Sequence, residues 1–490
     1  MSEPIKPNSK KTILLTGPTD NMGREALRQL CAQKDKYDLV LFALPTPKDK
    51  KILSAYANRP GIRIIWGDLT RYEDVQKTVE GVDIILHLGA LVSPAADAHP
   101  QLAWDINYGG TKNLVDAVLS GGGGENVQFV YIGTVAETGN RTPPVHWGRI
   151  GDPLVPAVYD YYALSKIAAE RYVIESGLKH WVSLRQTGML HDDIFLTHNG
   201  IGFHQPLNNH LEWVSAYDTG RLLANICSKA TPTAFWNNVY NIGGGESCRL
   251  TALQFLEKLF RLIGADIRQI YEPNMFALRN FHGQFYLDSD LLNDLIPFRS
   301  QSVDDTLVSM KKHLPGHIKL LKYLPKTFVK YYLRRESERN VITPLCWIKN
   351  NDEDKIRAFF GSGEIWQKIG GWDTFEHIID PPHIVLNHGY NETKPTEEWC
   401  LDDMQQAAAY RGGKCLSEKM TTGALFTKLN WQCAEGHTFQ ASPSLVLKAG
   451  HWCDKCLEAP WNFDAQAKKN PFMAQVWHQD HDISENNIYE

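Results

Sequence analysis

Tyr162 and Lys166 stand four residues apart in the run DYYALSK, at the start of a helical pattern. Tyrosine alone is a poor acid or base at neutral pH, because its unperturbed pKa is about 10. A lysine one helical turn away shares its face, and the ammonium favours the phenolate, pulling the tyrosine toward working pH. Thr134 closes the preceding apolar run VQFVYIGT, and a hydroxyl there can hydrogen-bond a substrate oxygen and fix its orientation. Together the three can move a proton on or off a carbinol while a hydride moves to or from a nicotinamide. The spacing Y-x-x-x-K is weak by itself, since a surface Tyr and Lys on an amphipathic helix read the same way. The surrounding elements must decide.

A second constellation lies near the C-terminus. WQCAEGHTF and HWCDKC supply Cys433-x3-His437 and Cys453-x2-Cys456, the ligand types and spacings of a tetrahedral structural zinc site. Four protein ligands leave no open position for catalysis, so zinc is expected to serve folding of this module. Its loss is then expected to unfold the tail first and spare dinucleotide binding. Cys415, in RGGKCLS, is a fifth candidate that could displace His437; His437 is favoured because a histidine four residues after a cysteine suits a zinc knuckle. The competing reading is a set of buried free cysteines. Lys414, Lys419, Lys428 and Lys448 with Trp431 and Trp452 would permit nucleic-acid contact. Glu418, Glu435 and Asp454 dilute that patch, so a structural or protein-contact role is the stronger reading.

The elements that must position the first constellation are legible from Thr12 to about Arg185. The runs TILLT, LVLFAL, IRIIW, VDIILHL, VQFVYIG and WVSLR are apolar at nearly every position, as strands covered on both faces are. Helical patterns separate most of them, at 24–33, 72–80 and 111–119, and such alternation argues for a doubly wound parallel sheet. Between the first strand and the first helix lies TGPTDNMG. Gly17 and Gly23 fit a turn that brings a backbone to a pyrophosphate, but Asp20 or Asn21 stands where a middle glycine is usual. Asn21 tolerates a left-handed backbone, so the turn is expected to form with Asn21 in that conformation. The second strand ends FALPTPKDKK with no acid before Asp49 and with Thr46, Lys48, Lys50 and Lys51 nearby, which leans toward NADP over NAD.

At 490 residues the chain exceeds one ordinary core. Its composition, 43% hydrophobic and 22% charged with a net charge of -5, calls for neither nucleic acid nor a membrane. No signal-like apolar core opens MSEPIKPNSKK, and a cytoplasmic location is expected. Beyond Arg185 the pattern loosens into a mixed lobe with a strand in VYNIGGG and a helix opened by a Thr251/Gln254 capping box. The basic stretch from about Gly316 to Arg339 could lie on a membrane; a helix packed on its own protein is the favoured reading.

The ordered motifs resemble the extended short-chain dehydrogenase/reductase family, also called the NAD-dependent epimerase/dehydratase family, over roughly residues 11–300. TGPTDNMG corresponds to its glycine-rich turn, WGDLT to the acidic residue after the third strand, LHLGA to the segment after the fourth, and NYGGTKNLVDA to its N-x-x-G-T-x-N-L helix. YIGT and YALSK fall where the family keeps its hydroxyl residue and its Tyr/Lys pair. The resemblance implies a dinucleotide held by Gly17, Thr19, Asn21 and Met22 at the turn, by Asp68 and Leu69 at the adenine, and by Leu88, Gly89 and Ala90 beside the ribose and nicotinamide. Tyr162 and Lys166 would complete that contact, and Asn107 would support the lysine through water. Helix capping is the competing reading of Asp68 and Asn107. The family's sugar 4,6-dehydratases follow the hydroxyl residue with an Asp-Glu pair, whereas this chain reads TVAE; Arg185-Gln186-Thr187 also departs from the usual Arg-Pro. The C-terminal run, roughly 405–460, resembles treble-clef or zinc-ribbon modules.

The expected architecture is α/β: a Rossmann-like doubly wound sheet at 1–187, a smaller mixed substrate lobe at 188–315, a helical extension at 316–400 and a zinc-binding module at 401–490. The expected activity is NAD(P)-dependent oxidation or reduction of a carbinol or carbonyl, with Thr134, Tyr162 and Lys166 as the site. A nucleotide-sugar epimerase and a non-enzymatic dinucleotide sensor or nucleic-acid-associated protein are the alternatives. A small-molecule substrate and a homodimer are expected as partners.

Overall fold

The computed structural model describes residues 10–33, 36–196, 200–228, 230–314, 316 and 323–490. The apolar runs form strands and the periodic runs helices in the expected order. β1 (Lys11–Thr16), α1 (Asn21–Ala32), β2 (Tyr37–Ala43), α2 (Pro47–Leu53), β3 (Ile62–Trp66) and β4 (Ile84–His87) make the first half. α3 (Gly110–Ser120), β5 (Gln128–Thr134), α4 (Tyr161–Ile174) and β6 (His180–Gln186) make the second. After α5 (Ala216–Ile226), the run VYNI returns as β7 (Asn238–Ile242). The seven strands form one sheet in the order β7-β6-β5-β4-β1-β2-β3, every pair parallel. The order reverses between β1 and β4, where Thr16 pairs in register with His87, and such a switch point is where doubly wound sheets bind ligands.

Strand alternation divides the core. Ile13, Leu15, Leu41, Val130 and Leu184 pack with Leu27 of α1 and Leu222 of α5 on one face. Leu14, Phe42, Ile85 and Phe129 point to the other face, with Leu114 and Val118 of α3 and Val173 of α4. Each such aliphatic side chain, fully buried, contributes about 1.5–3 kcal/mol. The second face does not end with the helices. Trp399, Met404, Trp431, Leu445 and Val446, all from beyond residue 390, belong to the same cluster.

The lobe after Gln186 is built of short pairs: Met189–Leu190 with Val214–Ser215, His210–Glu212 with Arg249–Thr251, and Trp147–Gly148 with Phe285–Tyr286. α6 (Ala252–Leu262) opens with the Thr251/Gln254 capping box read from the sequence. Of the basic stretch at 316–339, residues 317–322 lie outside those described. Its remainder is α7 (Lys326–Ser337), in which Ser337 is the buried residue. Phe328, Tyr331 and Tyr332 are 54–61% exposed, so α7 stands in solvent instead of packing on the protein as the sequence suggested. Its cations are satisfied locally, Lys330 by Glu272 and Arg334 by Glu338. Among the described residues no helix is long and apolar enough to cross a membrane.

The C-terminal module is a three-stranded antiparallel sheet of β8 (Lys414–Cys415), β9 (Leu429–Gln432) and β10 (Thr438–Ala441). Trp431 is fully buried at its centre, and its Nε1 donates to the Ala441 carbonyl at 2.9 Å.

Candidate functional site

The turn after β1 forms without a middle glycine, and the reason corrects the expectation for Asn21. Gly17 takes the left-handed conformation, with φ +63°. A Cβ there would stand 2.9 Å from Gly89 Cα, and a Cβ on Gly23 2.0 Å from the Gly17 carbonyl oxygen. Both glycines are therefore required by close backbone approach. Asp20 is the extended N-cap of α1 and Asn21 its first helical residue, so neither needs a positive φ. Asp20 is exposed beside the positive charges of Lys48 and Arg24. Thr19 is buried and Met22 half-buried against the core.

Thr16 ties the two sides of the switch point together. Its hydroxyl oxygen accepts from Leu88 N and Gly89 N, both at 3.0 Å, and lies 2.9 Å from His87 Nδ1. Leu88, Gly89 and Ala90 thus line the cleft opposite the turn. Leu69 approaches Gly89 and Gly110 so closely that a Cβ on either would meet it at 2.9 Å. Asp68 spends one carboxylate oxygen on Thr70, accepting from N and Oγ1 at 2.9 Å each, which is the local capping role. Asn107 is buried in a π-helical turn ahead of α3. It accepts from Leu91 N at 2.7 Å and donates to the Leu91 carbonyl at 2.9 Å and to Ser165 Oγ at 2.9 Å. Its support of the Tyr/Lys helix runs through Ser165, instead of through water to the lysine.

The structure brings Thr134 and Tyr162 together: their hydroxyls are hydrogen-bonded, at the C-terminal end of β5 and the first turn of α4. Lys166 takes a different place from the one its spacing suggested. Its ammonium rests 4.2 Å from the centre of the Tyr131 ring, in the field of Glu137 and Glu170. Burial lowers it to about 8 against the attraction of those carboxylates. Tyr162 is pushed well above the usual tyrosine range, by burial first and then by Glu137, Asp160 and Asp97, with the Thr134 hydroxyl pulling the other way. A long side chain drawn to two buried carboxylates outweighs the simple face-sharing of i and i+4.

Four groups that carry this arrangement were not legible as site residues. Glu137 accepts from Thr134 N at 2.9 Å and fixes the strand end that presents the threonine. Arg185 lies 3.1 Å from Glu137 and 2.6 Å from Glu170, all three essentially inaccessible to solvent. Asp97 accepts from Tyr162 N at 3.3 Å, and burial together with Asp160 raises its carboxyl to about 7. The acid in TVAE and the arginine of LRQT were visible as departures from a family pattern; Asp97, in SPAADAHP, had no signal. From the lobe, His191 Nδ1 lies 3.0 Å from Asn21 Nδ2, and Asp193 pairs with Arg24 at 2.6 Å, so this segment crosses the N-terminus of α1.

In the C-terminal module, Cys433 Sγ, Cys453 Sγ and Cys456 Sγ lie 3.5, 3.6 and 3.5 Å from His437 Nδ1, and Cys456 Sγ 3.6 Å from Cys433 Sγ. Metal–sulfur bonds of about 2.3 Å and metal–nitrogen bonds of about 2.0 Å in a tetrahedron have edges of roughly 3.5–3.8 Å. The four donors therefore fit one zinc ion. Cys415 pairs with Trp431 on β8 and is outside the group.

Comparison with known proteins agrees with this layout. Residues 13–187 match the model of the NAD dependent epimerase/dehydratase family. A UDP-glucose 4-epimerase of Rickettsia massiliae is 25% identical over 114 residues, 22% of this chain and 33% of that protein. An uncharacterized epimerase/dehydratase of Staphylococcus aureus is 26% identical over 160 residues, 33% of this chain and 46% of that protein. The chain thus spans a third to a half of the length of these relatives. The solved dTDP-glucose 4,6-dehydratase of Bacillus anthracis, in complex with NAD, superposes with a TM-score of 0.50 at 16% identity, covering 62% of this chain and 96% of that one. The dTDP-glucose 4,6-dehydratase DesIV of Streptomyces venezuelae, with NAD bound, gives 0.51 at 23% identity, covering 61% and 96%. These likenesses establish the Rossmann-like fold.

Proposed function

Because residues 13–187 form an NAD-dependent epimerase/dehydratase domain, we propose that the protein is a nicotinamide-dinucleotide-dependent oxidoreductase acting on a carbinol or carbonyl. The observation that carries the reading is the Thr134–Tyr162 hydroxyl pair at the end of β5, one strand from the switch point. Thr134 orients the substrate oxygen. Tyr162 gives or takes its proton, through the hydrogen bond the two hydroxyls already share. Lys166 supplies the compensating positive charge and a ribose-side contact, and Asn107 and Ser165 hold the helix that carries both. Gly17, Thr19, Asn21, Met22, Asp68, Leu69, Leu88, Gly89 and Ala90 would hold the dinucleotide, and the nicotinamide, when bound, supplies the hydride donor or acceptor.

The cofactor is NADP or NAD. The solved relatives named above carry NAD, whereas β2 here ends without an acid and Asp49 is engaged in capping α2 with Thr46, at 3.1 Å. Dehydration of the 4,6-dehydratase kind is disfavoured, since the acid of TVAE is committed to Thr134 N and Arg185. Epimerisation at a nucleotide sugar is the second reading, favoured by the similarity to a UDP-glucose 4-epimerase. Cys433, His437, Cys453 and Cys456 bind one structural zinc.

Nucleotides released from the purified protein and identified by mass spectrometry, followed by NAD(P)H formation with a panel of carbinols and UDP-sugars, test the proposal. A dinucleotide and reduction of it by one carbinol class are expected. A chain that neither retains nor binds NAD or NADP refutes it in favour of another ligand.

A further inference from the structure

The docking face of the C-terminal module is the chain between its two pairs of metal ligands. β10 and the loop after it run from His437 to Cys453, so a metal ion joining those residues ties both ends of this segment. Between the ties, Ser442 donates from N and Oγ to Glu175 Oε1 at 3.1 and 2.6 Å. The Ala449 carbonyl accepts from Arg185 Nη2 at 2.7 Å, and the Trp452 carbonyl from Arg171 Nη1 at 2.9 Å. His451 brings Nε2 to 2.8 Å from Glu170 Oε1. Glu170, Arg171 and Glu175 lie in the last turns of α4 and at its cap, and Lys166 is one turn earlier on the same helix.

Glu170 is the junction. Its Oε2 accepts from Ser183 Oγ at 2.6 Å and Arg185 Nε at 3.2 Å, and its Oε1 from Arg185 Nη2 at 2.6 Å besides the His451 contact. Its charge, with that of Glu137, is what the buried Lys166 ammonium answers. A buried carboxylate that loses a donor must replace it or bear the desolvation cost. Arg185 is already committed to Glu137, Glu170 and Ala449, which leaves the longer, more flexible Lys166 to turn toward Glu170 and away from the cleft.

We propose that the zinc-tied segment 438–452 positions the helix bearing Tyr162 and Lys166, with His451 setting, through Glu170, where Lys166 carries its charge. His451 and Glu170 are positioning residues here, and the Lys166 half of the inference rests on the dinucleotide reading above. The module then acts as an outer wall of the site, built by a metal that does no chemistry.

The full chain is compared in three forms: treated with a zinc chelator, His451→Ala, and His451→Gln, each with its zinc content measured. Hydrogen exchange of the α4 amides is expected to accelerate in the first two. NAD and NADP affinity of the folded fraction should fall about tenfold in both. His451→Gln, whose amide still donates to Glu170, should restore both. Unchanged α4 exchange and unchanged affinity in zinc-loaded His451→Ala would overturn the inference, as would a glutamine variant no better than the alanine. Should the alanine variant fail to fold, the chelated wild type and the glutamine variant carry the same two readouts. Accelerated α4 exchange in a protein whose wild type binds no dinucleotide would uphold the mechanical coupling and refute the dinucleotide reading, which keeps the two failures apart.

Discussion

The cleft and the metal group solve the same problem over different lengths of chain. The cleft gathers Gly17, Gly89, Thr134 and Tyr162 from four separate βα units, and a parallel sheet in the order β7-β6-β5-β4-β1-β2-β3 brings them to one edge. The metal group takes its four donors from residues 433–456, two knuckles closed by a three-stranded sheet. A site gathered over long range depends on the whole core and on every charge buried with it, whereas a local one depends on its own ligands. The contrast breaks down at α4, where His451 of the local module touches Glu170 of the distributed one.

The largest effect is expected at the centre of the distributed site. Tyr162→Phe removes the transferable proton and should lower turnover by roughly 10²–10⁴-fold while dinucleotide binding stays nearly intact. Steady-state rates and a binding titration on the same preparation check this, and undiminished turnover would remove Tyr162 from the chemistry.

Metal content sharpens the other side of the comparison. Elemental analysis should find one zinc per wild-type chain, none in Cys453→Ser, and one in Cys415→Ser, because Cys415 lies on β8 outside the donor group. Retention of zinc by Cys453→Ser would mean that a different ligand set operates.

Asp97 separates a buried site charge from a surface one. Its carboxyl titrates at about 7 in the folded protein, by burial and by Asp160, against about 3.9 in an unfolded chain. The folded state therefore holds this proton more tightly, and stability is lost as pH rises through that window. Asp97→Asn, whose oxygen can still accept from Tyr162 N, should match wild type in thermal melting near pH 4 and exceed it near pH 8. Equal melting curves at both values would show that Asp97 ionises freely.

The smallest expected effect concerns the cofactor's phosphate. Calorimetry should find NADP bound at least as tightly as NAD, with the margin narrowing when Lys48, Lys50 and Lys51 are neutralised. Exposed lysines are screened and contribute little each. A preference for NAD that ignores those substitutions would place the discriminating group elsewhere.

Much of this was legible in residue order alone. Period-two and continuous apolar runs announced the strands, glycines that no side chain could replace announced the turn, and Cys/His spacing announced the metal group, since each is a local rule of sterics or coordination. The conformation of Asn21 was misread because the glycine pattern suggested three special backbone positions, whereas Gly17 makes the turn and Gly23 relieves the contact that follows it. The packing of α7 was misread because an amphipathic pattern says which face is apolar and not whether anything covers it.

What only the tertiary structure decided is the company each charged group keeps. Spacing put Lys166 on the face of Tyr162; burial beside Glu137, Glu170 and Arg185 drew it toward Tyr131. Glu137, Glu170, Arg185 and His451 come from four segments, and their mutual attraction is strong because water is excluded where they meet. Sequence determines which groups can ionise and which segments form strands and helices, both short-range properties. Desolvation belongs to the folded interior, so the electrostatics of the site existed only once residues more than 250 positions apart, such as Glu170 and His451, had been packed against one another.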